Sequence, residues 1–280
     1  MSLNPQQIER LPHVEGVLNY LAPMAEKPYN LTYEPAPGEP RSNGQPEPHK
    51  VAIRDMRPVA DQLSLDREGT ALVEARTAMR DFYDEDEVKR VYYPECIDIV
   101  LRATGGYRAQ MFDHTIRRRM WGGTDRAPGV PRQPVTRVHN DYTVKSGPQR
   151  VRDLMNGEAD ELLRHRFQIV NLWRPIRGPL VDAPLALADA SSVAFEDFIA
   201  SDLVYRDRKG ETYNVRYNPA HRWFYAPQMR QDEAILIKSY DSSERAARFA
   251  PHSSFEDPTA PADLLPRESI EVRMLVFHRD

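Results

Sequence analysis

Short runs of alternating apolar and polar residues follow one another along most of this chain, divided by Pro, Gly, Asn and Asp. That period of two predicts strands at 14–21, 50–54, 107–114, 135–144, 167–173, 185–188, 203–205, 213–217, 223–226, 234–240 and 269–277. Three stretches depart from it. Residues 66–80 mix Leu72, Val73, Ala75 and Met79 with charge and predict a helix. Residues 95–103 predict a second, opened by Pro94 and stopped by Gly105 and Gly106. A third is expected over 148–166. Residues 34–50 and 122–134 are rich in Pro and polar residues and read as long connections, candidates for a lid. Many short strands after a helical N-terminal half predict a β-rich α+β fold, a β-sandwich or jelly roll flanked by helices. The expected organisation is a single domain, 1–280, in which 1–115 packs on a barrel core formed by 116–280.

Composition narrows the function classes. The 280 residues carry a formal net charge of -4, which gives no basic footprint for nucleic acid. No run approaches the roughly 20 apolar residues that span a bilayer, and 1–10 lacks the regions of a signal peptide. The single cysteine, Cys96, excludes an internal disulfide framework and reads as a small hydrophobe in a helix. The cytoplasm is therefore the expected compartment, with a small molecule as partner and a monomer or homodimer as the assembly.

The chemistry concentrates at His139-Asn140-Asp141. Residues two apart on a strand share a face, so an imidazole and a carboxylate aim at one point. A second histidine would complete a facial set of two His and one carboxylate, which leaves open positions on iron(II). His252, in Pro251-His252-Ser253-Ser254-Phe255, stands about 110 residues on. Arg267 and Ser269 follow about 15 residues later, on one face of a strand. A guanidinium and a hydroxyl suit the far carboxylate of a dicarboxylic co-substrate.

In this order, His139/Asp141, His252 and Arg267/Ser269 resemble the metal triad and co-substrate clamp of the iron(II)/2-oxoglutarate-dependent oxygenases. Residues 171–192, 221–242, 250–255 and 266–273 carry the resemblance to the branch of the cephamycin methoxylation component, gibberellin desaturase and aziridine-forming oxygenases. It implies a double-stranded β-helix, iron(II) and 2-oxoglutarate as cofactors with O₂ as co-substrate, and hydroxylation, desaturation or cyclisation of a small, amino-acid-derived metabolite in a biosynthetic pathway. Tyr142, Trp173, Arg174 and His221 are the candidate substrate contacts.

Some readings compete. His221 rivals His252 as the distal ligand, and Arg273 rivals Arg267, with a surface ion pair as its plainer role. Lys238 shares a strand face with Tyr240 and needs a carboxylate partner if it points inward. Two other classes remain: a cupin-like metal-dependent dioxygenase or isomerase that uses no 2-oxoglutarate, and a non-catalytic β-sandwich binding module.

Overall fold

The computed structural model describes residues 3–121 and 132–279. Their strands, in chain order, are β1 (His13–Leu21), β2 (Tyr29–Leu31), β3 (Pro46–Asp55), β4 (Thr70–Glu74), β5 (Arg108–Arg118), β6 (His139–Asn140), β7 (Phe167–Pro175), β8 (Leu185–Ala188), β9 (Phe198–Val204), β10 (Lys209–Val215), β11 (Trp223–Tyr225), β12 (Glu233–Asp241), β13 (His252–Ser254) and β14 (Glu268–Phe277). They form two curled sheets, a jelly roll. The larger runs β1-β3-β11-β8-β13-β6-β10-β9-β2, the smaller β4-β12-β7-β14-β5. A bridge from Asn19 to Arg137 brings β1 back against the segment entering β6 and closes part of the larger sheet on itself. β1, β3 and β4 from the N-terminal part and β13 and β14 from the C-terminal part thus share the same two sheets.

The smaller sheet is buried on both faces. Inward, Trp173, Ile235 and Ile237 pack with Leu185, Leu187 and Phe224 of the larger sheet. Outward, Val170, Leu172, Leu236, Ile270, Val272 and Met274 pack against Cys96 and Val100 of the helix Tyr93–Thr104. Two buried faces explain why β7 and β12 read as nearly continuous apolar runs. Truncating one such side chain, Leu172→Ala for instance, costs about 2–5 kcal/mol because the sheet and helix cannot both close the gap.

The helix Tyr93–Thr104 ends as expected, with Gly105 left-handed at φ 70°. Other expectations change. Residues 66–80 are not a helix: 70–74 form β4, paired with β12 from Thr70↔Ile237 to Glu74↔Glu233. Leu72 faces one core cluster and Ala71 and Val73 the other, so a vacant sheet edge overrides the helical preference of its Arg, Glu and Ala neighbours. The connection expected over 34–50 is shorter, because Pro46–Lys50 already belongs to β3 and pairs with β1. β11 covers β3 only from Ile53 onward; Pro46 and Pro48 therefore lie where the strand's other edge is free, the place proline tolerates. Most of the connection at 122–134 lies outside the described residues.

The strand expected over 135–144 shrinks to His139–Asn140. Asn140, fully buried, donates through Nδ2 to the carbonyls of Tyr142 (2.7 Å) and Ser239 (2.8 Å) and so bends the chain just beyond it. The Ser239 carbonyl is available because β12 bulges between Lys238 and Tyr240. Thr143 Oγ1 then accepts from the N–H groups of Lys145 (3.1 Å) and Ser146 (3.0 Å), opening the helix Ser146–Met155. Gly147 lets this helix lie on the Tyr240 ring; a Cβ there would stand 2.6 Å from its Cδ2. Asn156, at φ 43°, ends it, so the helix expected over 148–166 is broken in two.

Candidate functional site

His139 on β6 and His252 on β13 are directly opposite partners in neighbouring antiparallel strands, their ring centroids 4.5 Å apart. Each imidazole has Nδ1 against a backbone carbonyl two residues back: Arg137 for His139 (3.0 Å) and Ala250 for His252 (3.1 Å). A carbonyl only accepts, so Nδ1 carries the proton and each Nε2 keeps its lone pair. Asp141, held by the Asn140 bend, places Oδ1 3.5 Å from His139 Nε2. Ligand atoms of His139, Asp141 and His252 all lie within 4.8 Å of one another and form a candidate metal site. The geometry comes from a bend and a cross-strand pair rather than from alternation along one long strand.

The other carboxylate oxygen of Asp141 is fixed from outside. Oδ2 accepts from Asn171 Nδ2 (2.8 Å) on β7 and from Arg273 Nε (3.2 Å) on β14. Arg273 also pairs with Asp113 (3.0 Å) and Glu271 (2.5 Å), and Asn171 donates to Glu271 as well (2.8 Å). Burial alone would raise the Asp141 carboxyl, but Arg273, with His139 and His252, holds it well below the usual carboxylate range. Burial, with His252 beside it, pushes the His139 imidazole below its ordinary value. These two directions favour a neutral His139 and an anionic Asp141, the forms in which each can bind a divalent cation. Arg273 is no surface ion pair: it supports the candidate carboxylate ligand, as outer contacts of metal sites do.

Beside the triad lies a cleft lined by Arg117, Trp173, Leu185, Ser254, Arg267 and Glu271, enclosing about 350 Å³ of space counted to its open mouth. Arg267 is 2% exposed. Its Nε donates to Ser269 Oγ (3.0 Å), its Nη1 to the Ala183 carbonyl (2.8 Å), and its guanidinium sits 4.9 Å from the Trp173 ring centroid. Among the described residues no carboxylate lies within ion-pair distance of it. Burial, and next Arg117, press this cation down to about 9; such a charge is costly until an anion joins it. A larger recess around Leu180, Tyr225 and Asp257 encloses about 730 Å³ but holds no histidine.

The remaining expected contacts separate. Trp173 faces the cleft. Arg174, next on β7, points to the opposite face, buried between Phe82 and Tyr92 at 5.7 and 5.6 Å from their centroids. Tyr142 is buried in the cluster beside the helix Ser146–Met155, 5.9 Å from Arg150, and does not line the cleft. His221 has both nitrogens engaged, Nε2 with Asp197 (3.0 Å) and Nδ1 with the Tyr20 hydroxyl (3.3 Å). Lys238 turns to internal acids, Asp66 (3.0 Å) and Asp241 (2.5 Å). Arg117, Asn171 and Glu271 were not anticipated. A polar Asn171 within the apolar run FQIVNLW was a usable sign, since a buried amide needs partners.

Residues 18–277 match the family model described as an oxidoreductase/YMDC permease-like domain, and the chain belongs to that family. No helix among the described residues is long and apolar enough to cross a membrane. The hydroxylase/desaturase efuI of Hormonema carpetanum is 32% identical over 292 residues, 96% of each chain. The alpha-ketoglutarate-dependent dioxygenase phiK of a fungal species is 34% identical over 81% of this chain and 83% of its own. Among solved structures, the iron and alpha-ketoglutarate-dependent endoperoxidase NvfI superposes with a TM-score of 0.86 at 29% identity, covering 96% of this chain and 99% of that one. With that fold, that degree of identity and a His-Asp-His cluster at the head of a cationic cleft, the chain belongs to the iron(II)/2-oxoglutarate-dependent oxygenases.

Proposed function

We propose that this protein oxidises a small biosynthetic metabolite at iron(II) held by His139, Asp141 and His252, with 2-oxoglutarate anchored at its far carboxylate by Arg267 and Ser269. The donor set fits the ion: two imidazole nitrogens with free lone pairs and one carboxylate oxygen converge, and the tautomers that free them are fixed by the Arg137 and Ala250 carbonyls. The observation that carries the co-substrate is Arg267, a buried cation in the same cleft with no carboxylate among the described residues within ion-pair distance.

When bound, the metal and the keto acid supply the oxidising chemistry, in which O₂ is reduced while 2-oxoglutarate is split to succinate and CO₂. The chain's own residues position and exclude. Asn171 and Arg273 hold Asp141 so that Oδ1 faces the metal position. Arg267 presents its remaining N–H groups to the distal carboxylate. Because Ser269 Oγ accepts from Arg267 Nε, its own O–H stays free to donate. Trp173 and Leu185 supply apolar wall in a lining that is otherwise mostly polar, a surface against which a substrate C–H bond can rest. Its placement decides between hydroxylation, desaturation and ring closure, and an amino-acid-derived metabolite is the class we favour. The single, buried Cys96 supports a cytoplasmic compartment. An enzyme of the same barrel that used no keto acid would leave Arg267 uncompensated.

The test is turnover. Protein reconstituted with iron(II) in air is expected to convert 2-oxoglutarate to succinate, slowly alone and faster with the substrate. Asp141→Ala is expected to form no detectable succinate; wild-type rates in that variant would refute the assigned triad.

A further inference from the structure

The cleft holds a second cation that the reading above does not use. Arg117 lies on β5 and pairs in register with Ser269 of β14. Its guanidinium lines the same cleft as Arg267 and the triad. Nη1 donates to the Gln133 carbonyl (2.8 Å). Its other side-chain donors have no protein partner among the described residues, and no carboxylate there lies within ion-pair distance of it. Arg273, the third guanidinium on the lining, differs: Asp141, Glu271 and Asp113 surround it. Among the described residues, two of the three cations therefore have no carboxylate partner, and they are the two neighbours of Ser269.

Position along the strands decides which end of a ligand Arg117 meets. Ser269 and Arg273 are four residues apart on β14, roughly 13 Å at strand spacing. Arg273 is the end that touches Asp141; Ser269 is the other end. Arg117, opposite Ser269, therefore belongs with Arg267 and away from the metal. Two guanidiniums converging on one spot repel each other unless an anion lies between them, and a carboxylate, with two oxygens and lone pairs on both, can accept from two forks and a hydroxyl at once. We propose that Arg117 is a second arm of the clamp, gripping the distal carboxylate of the co-substrate from β5 while Arg267, just before β14, and Ser269, on it, grip it from the other side. The two arms select a dicarboxylic keto acid over a monocarboxylic one. This rests on the reading of the cleft as a 2-oxoglutarate site and adds the residue that sets its selectivity.

The experiment titrates the iron(II)-loaded protein under anaerobic conditions, following the visible band that forms when a 2-keto acid chelates the metal. 2-Oxoglutarate is compared with 2-oxovalerate, which has the same keto-acid end and no second carboxylate, in wild type, Arg117→Gln and Arg117→Lys. Losing a charged hydrogen-bonding arm is expected to weaken 2-oxoglutarate roughly 10- to 100-fold in Arg117→Gln. Arg117→Lys is expected to fall between, and 2-oxovalerate and iron(II) affinities to stay at wild-type values. Thermal melting of each variant, and the unchanged 2-oxovalerate titration itself, report that the cleft is folded. Equal weakening of both keto acids would put Arg117 at the keto-acid end and overturn the clamp. So would unchanged 2-oxoglutarate affinity, with or without a raised KM for the metabolite. A wild-type protein that binds iron(II) but gives no band with either keto acid would sink the parent reading and the clamp together.

Discussion

Two histidine–aspartate pairs are buried around the same larger sheet, and they differ in what their atoms have left to offer. At His221, Nε2 meets Asp197 and Nδ1 meets Tyr20, whose hydroxyl also accepts from Trp223 Nε1 (2.8 Å). Every polar atom of that ring is engaged by protein. At His139 and His252 the backbone engages only Nδ1, and both Nε2 atoms point with Asp141 Oδ1 to one place. The same residue types make a structural lock in one region and a candidate metal centre in the other. What separates them is the uncommitted valence. The arginines repeat the lesson. Arg174 and Arg267 are equally buried, but Arg174 is walled by Phe82 and Tyr92, whereas Arg267 opens on the cleft.

Changes that erase the difference should matter in order of how directly they touch it. His252→Ala removes one of three ligands, and iron(II)-dependent succinate formation is expected to vanish with the fold intact by circular dichroism. Asn171→Ala and Arg273→Met leave the ligands but release Asp141 Oδ2; each is expected to weaken iron(II) affinity about 10- to 100-fold, measured by competition with a chelator. His221→Ala strands the Tyr20 hydroxyl and Asp197 and is expected to cost about 1–3 kcal/mol in denaturant unfolding, with iron(II) affinity unchanged. Arg174→Met replaces a buried charge with an unbranched hydrophobe that fills most of the same space; near-neutral stability and unaltered 2-oxoglutarate binding are expected.

The smallest effect is in pH. Burial, outweighing Asp197, holds the His221 imidazole below its ordinary value. Between its folded value and about 6.5 the unfolded chain binds the proton and the folded chain does not, so stability contributed here is present above about pH 6.5 and lost as pH falls below it. His221→Gln is expected to flatten that part of the stability profile; an unchanged slope would show that His221 does not titrate there.

The candidate site was legible in the sequence where chemistry is local and illegible where it depends on which face a strand turns inward. His139, Asp141, His252 and Arg267 carry residue types and an order that few other arrangements explain. Trp173 and Arg174 could not be told apart as contacts, because every residue of β7 is buried and its two faces look alike from the sequence. Arg117 was invisible for a different reason: it acts through its pairing with Ser269, and the register of β5 on β14 is a property of the sheet. The helix expected at 66–80 failed similarly, since only the vacant edge of β12 makes 70–74 a strand. The expectation of a jelly roll held because many short alternating runs divided by turns have few other ways to bury their apolar faces.

Free Nε2 atoms, and not histidine–aspartate pairing as such, distinguish the candidate metal centre. Anaerobic calorimetric titration of iron(II) into wild type, His252→Ala and His221→Ala tests this directly. One tight site in wild type, lost in His252→Ala and retained in His221→Ala, is the expected result. Tight binding that survives His252→Ala and disappears in His221→Ala would contradict the account and move the metal to the other pair.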